Sequence, residues 1–379
     1  MLKIVYDQEI PFVENVFSGM GILQKFRSAP IDKSVVENAD ILIIRSTLKI
    51  NKEFLQNSKN LKVICTASAG LDHIDCEYID QKGIKVFNSK GCNINAVCDY
   101  TMSAFMACID ADRFENKTIG IIGLGHIGKM VLNRFQCLGY SCIGYDIACD
   151  NSSTLNDIFA CDVITLHIPL INHGKNCTEN FLGEEEIKKI KPGAILINAS
   201  RGGIVCEKYL CKRMLEKNDL KLAFDVWKNE PIIDKKLLDF CKISTPHIAG
   251  WSESARYNSI NVLRKQCENY LQLDSQLLLN NNNLLKGNPN RKNKKLYSLE
   301  SSNFSAKKII KILLEKSVRI MEVSNEFKKL CESLPSAEEA FNYYRNTYKS
   351  RPQLDEFTIP SVGMEKKDVS LLKSFSISV

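Results

Sequence analysis

Arg201, Glu230 and His247 follow one another along the chain, each just beyond an apolar run, in INASRGG, DVWKNEP and TPHIAGW. Their types suit one reaction. An imidazole titrates near neutral pH and can take a proton from a hydroxyl. A carboxylate beside it fixes its tautomer and steadies the imidazolium. A guanidinium grips a substrate carboxylate with two N–H groups and polarises a forming carbonyl. The three together can oxidise a 2-hydroxy acid, provided something accepts the hydride. Taken singly they are ordinary: a strand-end histidine, a turn glutamate before proline, a surface arginine.

The hydride acceptor has its own signature upstream. TIGIIG runs into Gly123-Leu124-Gly125-His126-Ile127-Gly128, and the helix-like segment Lys129–Leu138 follows. In such a strand–turn–helix the first glycine permits the tight turn, the second lets a pyrophosphate reach the backbone, and the third lets helix and strand pack. His126 and Ile127 belong to this turn and are expected at the cofactor, and the free N–H groups and positive end of the helix behind them suit phosphates. Asp146 lies 18 residues after Gly128 with no basic residue directly behind it. A carboxylate there accepts from a ribose and repels a 2′-phosphate, which favours NAD over NADP. His73, His126, His167 and His173 lack metal-ligand spacing, so no metal is expected.

Short apolar runs must carry these residues. Leu2–Tyr6, Ile41–Ile44, Leu61–Cys65 and Ile84–Phe87 read as buried strands separated by stretches long enough for crossover helices. A second set follows at Thr118–Ile122, Ser141–Tyr145, Asp162–His167, Ala194–Asn198 and Leu222–Val226. Both sets predict parallel sheets of the α/β class. Ala96–Asp110 reads as a helix linking them. NNNNLLKGNPNRKNKK, near Asn280, reads as a linker, with helices expected at Ala306–Arg319 and Ala337–Tyr348. The last stretch, Thr358–Val379, yields no assignment.

The bulk properties agree. At 379 residues, with 44% hydrophobic and 25% charged, the chain suits two or three folded domains. No apolar run is long enough to span a membrane, and MLKIVYDQEIPF does not read as a signal peptide. Fifteen cysteines without a C-x-x-C pair suggest reduced thiols in the cytoplasm. The net charge of +7 resides in residues 284–379, where 18 basic residues face 11 acidic ones. That excess can attract an anionic small molecule. No basic, aromatic-interleaved motif favours nucleic acid.

GLGHIG, NASRGG, DVWKNEP and PHIAG, in this order, resemble the D-isomer-specific 2-hydroxyacid dehydrogenase family over roughly residues 1–270. The resemblance implies a flavodoxin-like substrate domain at 1–95 and 252–280 and a Rossmann-type NAD domain at 96–251. It gives Arg201, Glu230 and His247 the catalytic roles. It places Asp225 near the nicotinamide and Ile168, Ala199, Ser200, Arg201 and Gly250 along the cofactor. RSTLKIN, TASAGLDHID, KGCNINAVCDY and the C-terminal stretch Phe341–Arg351 resemble a narrower group of the family, which takes a phosphorylated substrate. That group implies substrate contacts at Ser46, Ser68 and Trp251, the last standing where tyrosine is expected. It also implies a small C-terminal α+β dimerisation domain at 281–379 and hence a homodimer. Arg45 and Ser46, at the end of a strand, are expected to grip the phosphate with Arg345 or Arg351 from that domain. Two alternatives stay open: a different dehydrogenase of phosphorylated hydroxy acids, and a non-catalytic NAD-sensing protein of the same fold.

Overall fold

Apolar runs of four to six residues become the strands of two all-parallel sheets. The computed structural model describes residues 1–27, 33–109, 116–149, 152–172, 174–272, 295–296, 304–360 and 363–379. His173 and all of the linker but its last residue, Lys295, lie outside this set. The chain forms two compact units, Met1–Asn93 with Ser252–Asn293 and Ile94–Trp251 with Lys294–Val379.

The first unit runs β1 (Leu2–Asp7), α1 (Val13–Phe17), β2 (Gly21–Phe26), β3 (Ile41–Ile44), β4 (Val63–Thr66), α2 (Cys76–Gln81) and β5 (Lys85–Asn88). The sheet order is β2-β1-β3-β4-β5, the flavodoxin-like arrangement. β2 was not expected. It is an edge strand, and GILQKF leaves Ile22 58% exposed. The crossover from β3 to β4 is built of turns, anchored by buried Phe54 and Leu55, where a helix was expected.

The second unit begins with α3 (Ile94–Cys108), the expected linking helix. It continues through β6 (Thr118–Ile122), α4 (His126–Cys137), β7 (Ser141–Tyr145), α5 (Leu155–Phe159), β8 (Val163–Leu166) and α6 (Glu184–Lys189). β9 (Ile195–Asn198), α7 (Glu207–Lys217), β10 (Lys221–Phe224), α8 (Lys235–Phe240) and β11 (Cys241–Ser244) complete the sheet. Its order is β11-β10-β9-β8-β6-β7, so the winding reverses beside β6. Ligands of such sheets bind outside the carboxyl ends of the strands at this reversal.

The chain then returns to the first unit through α9 (Glu253–Tyr270), capped by Ser252, whose Oγ accepts Ala255 N–H at 3.0 Å. Tyr257, Ile260, Leu263 and Cys267 on this helix join Ile4, Tyr6, Ile43 and Cys65 in one core. Buried Arg264 turns back to Glu268 and to the Val16 carbonyl.

The C-terminal segment is α+β: strands β12 (Lys295–Leu296) and β13 (Phe357–Thr358) pair in parallel, accompanied by helices α10 (Ala306–Val318), α11 (Ile320–Ser333), α12 (Ala337–Thr347) and α13 (Lys366–Ser374). Expected as a third domain, it shares its core with the NAD-binding sheet. Ile309, Ile310, Leu313 and Leu314 of α10 pack with Phe105 and Phe135, and α11 lies along edge strand β11, with Ser324 Oγ accepting Ser244 N–H at 2.9 Å. Asp99 and Arg134 form a buried ion pair at 2.6 Å, and the second Asp99 oxygen accepts Leu354 N–H at 3.0 Å. The segment cannot bury its own apolar helix faces alone, so it borrows those of α3 and α4.

Candidate active site

The loop after β6 has the geometry that a dinucleotide needs. Gly123 sits at φ +95°, and a Cβ there would lie 2.6 Å from the His167 carbonyl oxygen. A Cβ on Gly128 would meet Gly123 O at 1.8 Å, so helix and strand touch. Around Gly125, by contrast, a Cβ would find nothing within 4 Å. The loop is thus closed wherever packing demands glycine and open where a pyrophosphate approaches, and the residues present fit NAD. His126 and Ile127 open the twelve-residue α4 behind this gap. Ile168 packs against Gly123 from the end of β8. Asp146, at the end of β7, accepts Leu124 N–H at 2.6 Å and Ala148 N–H at 2.9 Å, which fixes its carboxylate beside the glycine loop.

The three catalytic candidates leave the ends of β9, β10 and β11. Asn198 closes β9 and shapes the next turn: its Oδ1 accepts Ser200 N–H and Oγ–H, and its Nδ2 donates to Arg201 O at 3.1 Å. Ala199 and Ser200 are largely buried in this turn, which projects Arg201. After β10, Glu230 folds back so that Oε1 accepts Trp227 N–H at 2.8 Å, and Oε2 meets His247 Nδ1 at 2.7 Å. Burial pushes the Glu230 carboxyl up, but the His247 ring, the Trp227 N–H and the Arg345 guanidinium outweigh it, and it lies below the usual range.

His247 sits at φ +57°, a left-handed conformation rare outside glycine and costly for a non-glycine residue. Asp225 holds it there. Its backbone O accepts His247 N–H at 2.7 Å. Its buried carboxylate accepts Thr245 Oγ–H at 2.6 Å and Ile248 and Ala249 N–H at 2.8 Å each. Tyr100 OH extends this chain to Thr245 at 2.7 Å. Asp225, expected beside the nicotinamide, anchors the turn that carries His247, and Gly250 follows directly on that turn.

The remaining expected residues fall into two groups. In the second unit, the Arg345 guanidinium lies 4.6 Å from the Trp251 ring centroid, and its charge bears on Glu230. Arg351 is 5% exposed, and its Nη2 donates to Ala96 O at 2.7 Å and Ala249 O at 2.9 Å. That guanidinium is committed to backbone carbonyls rather than presented to a ligand. In the first unit, Arg45 Nε pairs with fully buried Asp7 at 2.7 Å, Ser46 is exposed, and Ser68 Oγ donates to Gly70 O at 2.9 Å. Thr66 Oγ1 lies 2.8 Å from Ser68 Oγ and 2.9 Å from His73 Nε2. Asn198, Thr245 and Tyr100 were missed as positioning residues. Only Asn198, a polar residue ending an apolar run, left a trace in the sequence.

The family described as D-isomer specific 2-hydroxyacid dehydrogenase, NAD binding domain, matches residues 103–249. An erythronate-4-phosphate dehydrogenase of Marinomonas sp. (strain MWYL1) is 32% identical, over 98% of this chain and 98% of that protein. Another from Pseudoalteromonas atlantica is 33% identical over 71% of this chain and 74% of its own length. Among solved structures, the NAD-bound 3-phosphoglycerate dehydrogenase of Entamoeba histolytica superimposes with a TM-score of 0.63 at 26% identity, covering 72% of this chain and 96% of that one. The D-lactate dehydrogenase of Aquifex aeolicus, complexed with NAD and lactic acid, gives 0.62 at 22%, covering 73% and 98%. With the glycine loop and the Glu230–His247 pair in place, these matches make the chain a member of the D-isomer-specific 2-hydroxyacid dehydrogenase family, an NAD-dependent oxidoreductase of CH–OH groups.

Proposed function

We propose that the chain oxidises 4-phospho-D-erythronate at carbon 2 to 3-hydroxy-2-oxo-4-phosphobutanoate, on the route to pyridoxal 5′-phosphate. The Glu230–His247 pair carries this reading. Glu230 Oε2 accepts a hydrogen bond from His247 Nδ1–H, so Nε2 keeps the lone pair that takes the substrate's hydroxyl proton. NAD, when bound, accepts the hydride leaving carbon 2. Arg201 binds the substrate carboxylate and draws electron density from the developing carbonyl oxygen. Glu230 then faces an imidazolium, and its ionised form stabilises that charge.

The relatives' name supplies the phosphorylated substrate. For its phosphate we assign Arg45 and Ser46, with Ser68 and Trp251 as further contacts. Of the two C-terminal arginines, Arg345 is the phosphate ligand, because Arg351 is spent on two carbonyls. The Arg345 guanidinium lies 4.6 Å from the Trp251 ring centroid, which sets these two assigned contacts side by side. The protein acts as a homodimer through its C-terminal segment, in a reducing cytoplasm that suits its fifteen free cysteines. Among the described residues no helix is long and apolar enough to cross a membrane. The test is NADH formation with a panel of phosphorylated and plain 2-hydroxy acids, with light scattering on the same sample. The phosphorylated four-carbon acid should be preferred and the mass should be that of a dimer. Equal turnover of plain acids would overturn the substrate, and NADH binding without any turnover would favour a sensor.

A further inference from the structure

Glu207 opens α7, six residues after Arg201, and takes no part in the chemistry derived above. Its Oε1 accepts Lys228 N–H at 2.6 Å. The preceding amide, Trp227 N–H, goes to Glu230 Oε1 at 2.8 Å. Two successive N–H groups of one turn therefore end on two carboxylates, and the second of these carboxylates holds His247. The same turn is pressed from the Arg201 side. A Cβ on Gly202 would lie 1.9 Å from Trp227 O and 2.8 Å from Lys228 N. On its far side the Trp227 indole N–H donates to Thr245 O at 3.0 Å, two residues before the base.

We propose that Glu207 is a positioning residue: its carboxylate fastens the Trp227–Glu230 turn to the start of α7, and so sets Glu230 against His247 in register with Arg201. The strut is held against an electrostatic gradient. Burial, then the Asp234 and Glu230 carboxylates, raise the Glu207 carboxyl to about 6, against the lowering pull of the Lys228 N–H and side chain.

The inference rests on the acid–base reading of the site, and its test separates the two. E207A, E207Q and H247A are made in the full chain. Steady-state oxidation is measured with the best acid of the panel, and NADH affinity by fluorescence titration. In E207A, kcat should fall about tenfold, the order expected when a hydrogen bond to a charged group is lost. KM and the NADH Kd should stay within about twofold. E207Q keeps an oxygen acceptor for Lys228 N–H and should recover most of kcat. Wild-type kcat in E207A overturns the inference. So does an E207Q as impaired as E207A, or a KM and Kd that rise along with the fall in kcat. If E207A fails to fold, E207D reads the same contact, since its shorter arm falls short of the amide; wild-type kcat in E207D is equally fatal. H247A decides the reading beneath: turnover retained there sinks the acid–base assignment itself, whereas turnover lost in H247A and kept in E207A sinks only the strut.

Discussion

The two parallel sheets end in different ways. In the second unit the turns beyond the strands are locked by carboxylates that accept backbone N–H groups: Asp146 after β7, Asp225 and Glu230 after β10. His247 and Gly123 stand at positive φ beside these carboxylates. In the first unit the strand ends carry an arginine on a buried aspartate and a chain of hydroxyls reaching His73. Moving a proton and a hydride needs groups held to a fraction of an ångström, and backbone-anchored carboxylates supply that rigidity. Gripping an anion asks only for donors of the right sign, and rotatable side chains suffice.

Four experiments can break or sharpen this contrast. The largest effect belongs to the locked turn. His247→Ala should cost ~10²–10⁴ in turnover, the usual value of general acid–base catalysis, with NADH affinity unchanged in a binding titration. Near-normal turnover would erase the distinction between the two sheets.

Arg45→Ala should weaken use of the phosphorylated acid by roughly 10- to 150-fold, equivalent to ~1.5–3 kcal/mol for a hydrogen bond to a charged group. A plain hydroxy acid should barely respond. Equal losses on both would reassign Arg45 to holding Asp7, and the first sheet would then be as rigidly finished as the second.

Acid should find the second unit. Burial pushes His167 down to about 3. Below its ordinary value near 6.5 the unfolded chain binds a proton that the folded chain refuses, so stability falls progressively as pH drops from about 6.5 to about 3. Asp162 adds a smaller effect lower down. Burial raises its carboxyl, but Lys191 and Thr118 outweigh this and hold it at about 2, so its contribution fades below about pH 4. Segment-resolved hydrogen exchange should show protection lost around β8 over the upper window, and not in His167→Gln. A Gln variant with the same acid response would contradict the assignment.

The smallest effect is expected at the return helix. Removing the Ser252 cap of α9 by Ser252→Ala should cost about 1 kcal/mol, read as a lower urea midpoint. No change would mean that core packing through Tyr257, Ile260 and Leu263 fixes this helix unaided.

Much of this contrast could be read in the chain, unevenly. The second sheet's strands are continuous apolar runs, and its glycine turn has one physical explanation, so both were legible. Arg201, Glu230 and His247 stood out as candidates because each is a charged or titratable residue directly beyond such a run. Edge strand β2 was missed because half of its residues face outward and mix polar with apolar types. Ile320–Ser333 was missed as a helix because it follows α10 across a single left-handed residue, Arg319, with no glycine or proline to mark the break. Tyr100 lies within an apolar helix like any core aromatic, and only the fold reveals that its hydroxyl completes the Thr245–Asp225 chain. Arg345 and Arg351 look equivalent in sequence. One stacks on an indole and the other is consumed by carbonyls, a difference set by partners that are distant along the chain.

Arg351 has one more consequence. The two carbonyls it binds, Ala96 O and Ala249 O, stand just inside two of the three places where the chain passes between units, 93/94 and 251/252. Leu354 and Asp355 add bonds to Asp99 and Asn95 beside the first of them. A segment that followed a domain without sharing its core could be trimmed without touching that domain. This one has become a keystone: shorten the chain to before residue 351 and both crossings lose their clasp. Truncation there should therefore disturb the second unit as a whole instead of removing a separable module.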